Sequence, residues 1–366
     1  MSIRNFYKTS LSLAAITIGG ITIGGLTVLP AQAGLLVSNI TGNNVLEYDE
    51  ITGDFIRTFV PTGSGGLTNP NGLLLAPNGN VLVSSWGNGS VQEYNGKTGA
   101  FVRTVVSPGS GGLANPIGMF FGRNGNLFVN SFGTNSILEY NNTTGAFLGT
   151  FIGPDSGGLS RPVTSIFGPN GNLFVSSFGN GSVLEYNGLT GAFLRDFVPS
   201  GSGGLNLTEA ISFGPNGNLF VNSSGSSAFS DRVGLSAVLE YDGNTGAFLR
   251  TVVPPGSGGL SSPTGLLFNP EGKLLISSFT TANVLEYDGA TGEFVKTFIS
   301  PGSNGLVNPT QILLLPTSVP EPNSAFGIVV LGVFGSVWVL KRNKKVMKTP
   351  ASGSIHNSFT GGFSIR

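Results

Sequence analysis

The sequence predicts an all-β fold, a six-bladed β-propeller with four antiparallel strands in each blade. The tripeptide Leu-Glu-Tyr, written once as Gln-Glu-Tyr, recurs at Glu47, Glu93, Glu139, Glu185, Glu240 and Glu286. The spacings are 46, 46, 46, 55 and 46 residues, and such a period is typical of a propeller blade. The composition agrees, because 58 glycines and 27 phenylalanines with only 10% charged residues describe short apolar strands joined by tight turns.

Four short apolar runs fit into each period. In the fourth repeat they are residues 164–167, 173–176, 182–186 and 192–198. Between them lie Gly-Pro-Asn-Gly, Gly-Asn-Gly and Asn-Gly-Leu-Thr-Gly, which can supply the positive φ angles of hairpin turns. A segment such as Pro-Ser-Gly-Ser-Gly-Gly-Leu joins successive repeats, and we expect it to be too flexible and too polar to form an element.

The array begins and ends at complementary points of its repeat. Residues 35–40 match the second strand, with no first strand before them, and residues 311–315 match the first strand, with no strands after them. Joined, they complete one blade with three N-terminal strands and one C-terminal strand. A closed ring removes its exposed end in this way, whereas an open solenoid has no reason to.

The repeat resembles the NHL repeat. The pattern Pro-x-Gly-Leu-apolar-Phe-x-Pro-Asn-Gly-Asn-Leu-Phe-Val stands whole or nearly so from Pro70, Pro116, Pro162 and Pro263. The resemblance covers most of residues 35–316 and implies the propeller fold, but it implies no particular function. After the second strand, where NHL repeats commonly carry an aspartate, this sequence has Ser38, Ser84, Asn130, Ser176, Asn222 and Ser277.

Residues 1–33 have the order of a secretory signal peptide. Arg4 and Lys8 precede an uncharged run, 11–29, and Ala31 and Ala33 form a small-x-small cleavage site. A retained membrane anchor is the alternative, but four glycines in the run and the cleavage site argue for removal. We expect cleavage after Ala33.

Residues 317–345 resemble the PEP-CTERM sorting tail of bacteria that make exopolysaccharide. A short motif precedes an uncharged stretch, 323–340, and a basic cluster, which is the order of a stop-transfer segment. Motif and cluster consist of Val319, Pro320, Glu321, Pro322, Lys341, Arg342, Lys344 and Lys345. The resemblance implies recognition by an exosortase, transient anchoring in the inner membrane, and processing with release to the cell surface or matrix. A polar extension, 346–366, departs from the family pattern.

The six repeated glutamates are expected to form cross-strand ion pairs and to have no catalytic role. Ten residues after each stands a basic residue in five repeats of six, and the exception is Gly149. Across a hairpin the two positions face each other on the same side of the sheet. An exposed pair of this kind contributes under about 1 kcal/mol, so it specifies register more than stability.

Two features are candidates for ligand binding. The residue directly after each second strand is aromatic in four of the six repeats. These residues are Ile40, Trp86, Phe132, Phe178, Ser224 and Phe279. Trp86 beside Asn88 suits stacking on a sugar ring, although packing against the neighbouring blade is a simpler alternative. The second feature is the nine-residue insertion within 223–237, which contains Asp231 and Arg232 and interrupts the repeat.

The repeat array contains few side chains that could act in catalysis. The array contains no cysteine and no histidine, and the only histidine is His356, so the commonest general base and two kinds of metal ligand are missing. A virginiamycin B lyase-like propeller looks to need a catalytic histidine. A gluconolactonase-like propeller would need a calcium ion in the central channel, and the candidate ligands are Asn130, Glu209, Asn222 and Asp231.

The sequence therefore predicts that residues 34–316 form an exported, monomeric binding module for a carbohydrate or protein of the envelope or matrix. Signal peptidase and an exosortase-type enzyme are the predicted processing partners, and no cofactor is expected. Residues 35–316 contain 10 basic against 17 acidic side chains, which argues against nucleic acid. A calcium-dependent lactonase or hydrolase and a purely structural matrix component remain as alternatives.

Overall fold

Short apolar runs and glycine-rich turns fold into 24 β-strands in residues 34–224 and 235–316, the part of the chain that the computed structural model describes. All of these residues belong to one compact unit, Gln32–Ser318. Within this part of the chain the only helical elements are seven 3₁₀ turns. The predicted signal peptide, sorting tail and polar extension, together with Asp231 and Arg232, lie outside the described residues.

The strands occupy four positions in the blades, counted from the centre outwards. First strands are β4 (Pro70–Leu75), β8 (Pro116–Phe121), β12 (Pro162–Phe167), β16 (Thr208–Phe213), β20 (Pro263–Phe268) and β24 (Pro309–Leu314). Second strands are β1 (Gly34–Asn39), β5 (Val81–Ser85), β9 (Leu127–Ser131), β13 (Leu173–Ser177), β17 (Leu219–Ser223) and β21 (Lys273–Ser278). Third strands are β2 (Asn44–Asp49), β6 (Ser90–Tyr94), β10 (Ser136–Tyr140), β14 (Ser182–Tyr186), β18 (Ala237–Tyr241) and β22 (Asn283–Asp288). Fourth strands are β3 (Phe55–Val60), β7 (Phe101–Val106), β11 (Phe147–Ile152), β15 (Phe193–Val198), β19 (Phe248–Val253) and β23 (Phe294–Ile299).

The sheets close into a ring of six blades. Blade 1 has the strand order β24-β1-β2-β3, and blades 2 to 6 follow in chain order from β4 to β23. Each first strand packs against the first strands of both neighbouring blades, in the cycle β24-β4-β8-β12-β16-β20. The antiparallel pairing of β1 with β24, in which Leu36 lies opposite Leu313, confirms the predicted exchange of a strand between the two ends of the array.

The hydrophobic core lies between blades. One cluster joins Phe174 and Val198 of blade 4 to Ile211, Val221 and Tyr241 of blade 5, and similar clusters fill the other spaces between blades. Because each blade buries its apolar faces only against its neighbours, the apolar positions must repeat from blade to blade.

The connectors between blades are ordered, and the expectation that they form no element is wrong. Each contains a 3₁₀ turn, such as Ser64–Gly66. Gly63, which precedes this turn, and Gly65 and Gly66 within it have positive φ. The buried Tyr94 hydroxyl donates a hydrogen bond to the Ser64 carbonyl at 2.8 Å. Equivalent bonds come from Tyr48, Tyr140, Tyr186, Tyr241 and Tyr287. Burial raises the pKa of all six phenols, so each stays a neutral donor that fixes one connector.

The predicted cross-strand ion pairs are confirmed. Glu93 lies opposite Arg103 with 2.6 Å between Oε2 and Nε, and the other pairs are Glu47–Arg57, Glu185–Arg195, Glu240–Arg250 and Glu286–Lys296. The glutamates are buried, however, and not exposed as a surface pair would be. Burial alone would raise the pKa of Glu93, but hydrogen bonds from Asn80, Asn78 and Arg103 outweigh it and hold that pKa below its usual range.

Removing one tyrosine hydroxyl tests the connector bonds. We expect Tyr94→Phe to lower the free energy of unfolding by about 1 kcal/mol, because the Ser64 carbonyl loses a buried donor while the ring still packs. Urea denaturation measures the change. The control is Lys97→Ala at an exposed turn position, where we expect a change within about 0.5 kcal/mol. Equal effects of the two substitutions would contradict a role for the hydroxyl.

Candidate functional site

A pocket of about 300 Å³ lies at one end of the cylinder that the six first strands form. Two circles of residues, an inner ring and an outer ring, line it. The inner ring is the second residue of each first strand: Asn71, Ile117, Val163, Glu209, Thr264 and Thr310. The outer ring is the residue that follows each second strand: Ile40, Trp86, Phe132, Phe178, Ser224 and Phe279. The predicted series after the second strand therefore converges on one site.

Strand register explains this convergence. First and second strands of a blade are antiparallel, so the first strand begins where the second strand ends, as in the pairing of Pro116 with Ser131. The residues just beyond that pairing, Ile117 and Phe132, then lie at the same face of the ring. Repetition in every blade brings twelve side chains together, two from each blade.

Aromatic and aliphatic side chains of blades 2 to 4 form one continuous wall of the pocket. Trp86 packs edge-on against Phe132 with 4.9 Å between ring centroids, and Phe132 lies 6.0 Å from Phe178. Ile117 and Val163 pack in the same cluster and are buried. Trp86 stays half-buried, so part of its surface faces the pocket. This wall is apolar, and the exposed part of the Trp86 ring can stack on a ligand.

Polar groups line much of the rest of the pocket. Thr264, Thr310 and Gln311 contribute hydroxyls and an amide from blades 6 and 1, and Asn71 contributes an amide from blade 2, the blade of Trp86. In the order of the ring, blade 5 lies opposite blade 2, so Glu209 stands across the pocket from Trp86. An apolar wall with a few polar groups around it is the usual form of a small-molecule site.

Glu209 is the one carboxylate among the described residues that line this pocket. It makes no hydrogen bond or ion pair with the described part of the chain. Burial raises the pKa of Glu209 to about 8, because the charged form loses hydration without gaining a partner. At neutral pH most of this carboxyl group is therefore protonated and can donate a hydrogen bond to a ligand.

The structure separates the predicted ligand-binding residues. Trp86 lines the pocket, and it also packs against Phe132 of the neighbouring blade. Asn88 stands in the turn after β5, where its amide nitrogen donates to the Gly66 carbonyl at 2.8 Å and its oxygen accepts from Ser90 at 2.6 Å. Asn88 therefore stabilises a turn and does not line the pocket.

The predicted calcium ligands do not converge in the described part of the chain. Glu209 lines the pocket, whereas Asn130 and Asn222 do not. The Asn130 amide donates to the Val163 carbonyl of the next blade at 2.9 Å, and Asn222 donates to the Thr264 carbonyl at 3.0 Å. Both asparagines join blades to each other. No group of three acidic or histidine side chains suited to a metal ion occurs in the described residues.

Sequence reasoning missed most of this pocket. The outer ring was visible as a series, but its inner ring was not, because Asn71, Ile117, Val163, Glu209, Thr264 and Thr310 share no chemical character. Only Glu209 stood out, as a break in the repeat. The signal that could have found the rest is position, since each is the residue after the start of a first strand.

Structural comparison identifies the architecture. A protein of unknown function from Bacteroides caccae matches 78% of this chain and 99% of its own, with 16% identity and a TM-score of 0.57. A chain of a nidogen/laminin complex matches 78% of this chain and 100% of its own, with 14% identity and a TM-score of 0.61. The chain is a six-bladed β-propeller. No protein-family model and no curated protein sequence matches it.

One further neighbour of this propeller is an enzyme. A catalytically inactive histidine-to-alanine variant of virginiamycin B lyase from Staphylococcus aureus, solved with quinupristin, matches 79% of this chain and 86% of its own. The identity is 12% and the TM-score is 0.50, so the likeness concerns the fold alone. Among the described residues, none forms a helix long and apolar enough to cross a membrane.

The raised pKa of Glu209 predicts a pH dependence of stability. The folded state binds more protons than the unfolded chain between about pH 4.5 and pH 8, so the contribution of Glu209 to stability is present at low pH and is lost as the pH rises through this range. Relative to Glu209→Gln, the free energy of unfolding of the wild type should fall by up to about 1.4 kcal/mol per pH unit. Denaturant titrations of both proteins at pH 5 and pH 8 measure this, and parallel pH profiles would contradict it.

Proposed function

We propose that this propeller is a binding module for a neutral carbohydrate of the cell envelope or matrix, held in the pocket between Trp86 and Glu209. The arrangement of the pocket is the observation that supports this proposal. The rings of Trp86, Phe132 and Phe178 form one wall, the protonated carboxyl group of Glu209 lies across the pocket from Trp86, and amides and hydroxyls complete the lining. Sugars present an apolar ring face and an edge of hydroxyl groups, which match these two sides.

A binding function agrees with the described ionisable groups better than hydrolysis does. General acid–base cleavage of a glycosidic bond ordinarily uses two carboxyl groups on either side of that bond. Glu209 is alone among the described residues of the pocket. A calcium-dependent lactonase would need several oxygen ligands around one ion, and Asn130 and Asn222 do not line the pocket that contains Glu209.

Ligand binding can be followed through Trp86, the only tryptophan in residues 34–316. Neutral oligosaccharides, titrated into the protein, should change its tryptophan fluorescence and raise its melting temperature, because a ligand that binds only the folded state stabilises it. Loss of ring stacking in Trp86→Ala should weaken binding about tenfold. Trp86→Phe should retain most of the affinity.

The matched control is Ile51→Ser, at an apolar side chain that is 68% exposed and remote from the pocket residues. It should bind the oligosaccharides like the wild type. A shift in melting temperature with calcium alone, lost in Glu209→Gln, would contradict the proposal and favour the calcium-dependent enzyme. No response to sugars or to calcium would favour a structural matrix component.

We further infer that the protein is exported and sorted, because its two terminal segments have the order of a signal peptide and of a sorting tail. Cleavage after Ala33 would free Gly34, the first residue of β1, whose carbonyl accepts a hydrogen bond from Leu315 at 2.8 Å. The propeller therefore uses the residue directly after the predicted site, and a clean cut leaves the closing blade intact. Signal peptidase and an exosortase-type enzyme are the proposed processing partners.

Mass spectrometry of the protein isolated from its native host tests this processing. We expect an N-terminus at Gly34 and a C-terminus near Pro320–Pro322. Ala31→Arg with Ala33→Arg should leave residues 1–33 attached, since signal peptidase requires small side chains there. Replacing the basic cluster at Lys341, Arg342, Lys344 and Lys345 with glutamine should impair sorting without changing the N-terminus. A wild-type product that keeps both ends would contradict export and sorting.

A further inference from the structure

In five blades the repeated glutamate pairs with a cationic side chain, and blade 3 has no cation at that position. In strand register, Glu139 lies opposite Gly149, where four other blades have arginine and one has lysine. The other five glutamates are buried, whereas Glu139 is only half-buried. The missing side chain therefore leaves a carboxylate within reach of solvent.

The arginines of the other blades show what this position binds. Arg195 makes three contacts: its Nε lies 2.6 Å from Glu185 Oε2, its Nη2 donates to the Asn244 carbonyl of the next blade at 2.8 Å, and its Cζ lies 4.8 Å from the centroid of Phe197. Arg57, Arg103 and Arg250 make the same ion pair and reach the same carbonyl position, at Lys97, Thr143 and Ala290.

The residues at all three of these positions are present around Glu139, in blades 3 and 4, and line one cavity of about 160 Å³. Asn124 and Asn126 donate to Glu139 Oε1 at 2.8 and 2.7 Å, which leaves Oε2, the oxygen that accepts arginine elsewhere, without a partner among the described residues. The carbonyl position in blade 4 belongs to Leu189, and the aromatic position belongs to Phe151. Phe151 is partly exposed, whereas Phe197 is only 2% exposed.

Arg123 is the one cation among the described residues that line this cavity, and it does not replace the missing side chain. Its Nη2 lies against Gly171, in a turn of blade 4. It forms no ion pair with any described carboxylate, Glu139 included. It therefore forms a wall of the cavity, and the position beside Glu139 Oε2 stays open.

We propose that this cavity binds the guanidinium group of an arginine side chain supplied by another polypeptide. The carboxylate oxygen, the carbonyl and the ring face suit a planar group with several N–H donors. Lys296 takes the same position in blade 6, but its Nζ lies 3.6 Å from Glu286 Oε2, whereas Arg195 Nε lies 2.6 Å from Glu185 Oε2. Leu189, 70% exposed at the rim, offers an apolar contact to the residues that flank such an arginine. The site is independent of the pocket beside Trp86.

The chain offers a substitution that fills the cavity from within. Gly149 lies in strand β11, and no heavy atom lies within 4 Å of a Cβ built on it, so an arginine fits at this position as it does in four other blades. Gly149→Arg should raise the melting temperature and remove the binding site. Arg195→Gly should open an equivalent cavity in blade 4.

Isothermal titration of the full chain with an N-acetylated, C-amidated Gly-Arg-Gly peptide tests the proposal. We expect one site in the wild type, no binding to Gly149→Arg, and two sites in Arg195→Gly. Glu139→Gln should weaken binding about tenfold or more, because a charge-assisted hydrogen bond is lost. The same peptide with citrulline, which is neutral and of similar shape, should bind about tenfold or more weakly. Equal binding of both peptides, or arginine binding that survives Gly149→Arg, would overturn the proposal.

Sedimentation velocity distinguishes the two sources of such an arginine. A wild-type dimer that Gly149→Arg converts to a monomer would identify a second copy of this chain as the donor. A monomer in both proteins, together with arginine-specific peptide binding, would assign the site to a different polypeptide. A wild-type monomer that binds no peptide would overturn the proposal.

Discussion

Closure of the ring is the constraint on which the rest of the structure depends. No blade has a complete core of its own, because its apolar faces are buried only against its two neighbours. An open array would expose a sheet face and a strand edge at each end. Pairing of β1 with β24 removes both, and it brings residues almost 280 positions apart into one sheet. The tyrosine hydroxyls and the buried ion pairs then fix connectors and register blade by blade.

The scaffold is symmetric, but the residues that line the pocket at one end of the ring differ from blade to blade. Side chains between blades must match in all six repeats, since each packs against an equivalent surface. The residues around this pocket pack against fewer neighbours, so they are free to differ. Blade 3 therefore contributes only the apolar side chains of Ile117 and Phe132 there, whereas blade 5 contributes Glu209 and Ser224. The same freedom applies at the rim of blade 3, where a single glycine in place of arginine leaves Glu139 open to solvent.

Much of the fold and a smaller part of the site could be predicted from the sequence. In the fourth repeat the predicted runs correspond to β12, β13, β14 and β15 with ends that differ by at most two residues. The ion pairs were predictable because both partners repeat at a fixed separation. The positions of Asn88, Asn130 and Asn222 could not be predicted for a physical reason. Their amide nitrogens donate to backbone carbonyls of turns and of neighbouring blades, and those partners are distant in sequence.

The sequence by itself determined the number of blades, the strands, their register and the closure of the ring, because each follows from a period and from local turn chemistry. Only the tertiary structure decided which residues share a site. Asn71 and Glu209 are 138 positions apart and unlike each other, yet the ring brings them to one pocket. Burial without a partner also made Glu209 a proton donor. A local sequence pattern predicts neither the proximity of two residues nor the desolvation of a side chain, since both depend on the whole ring.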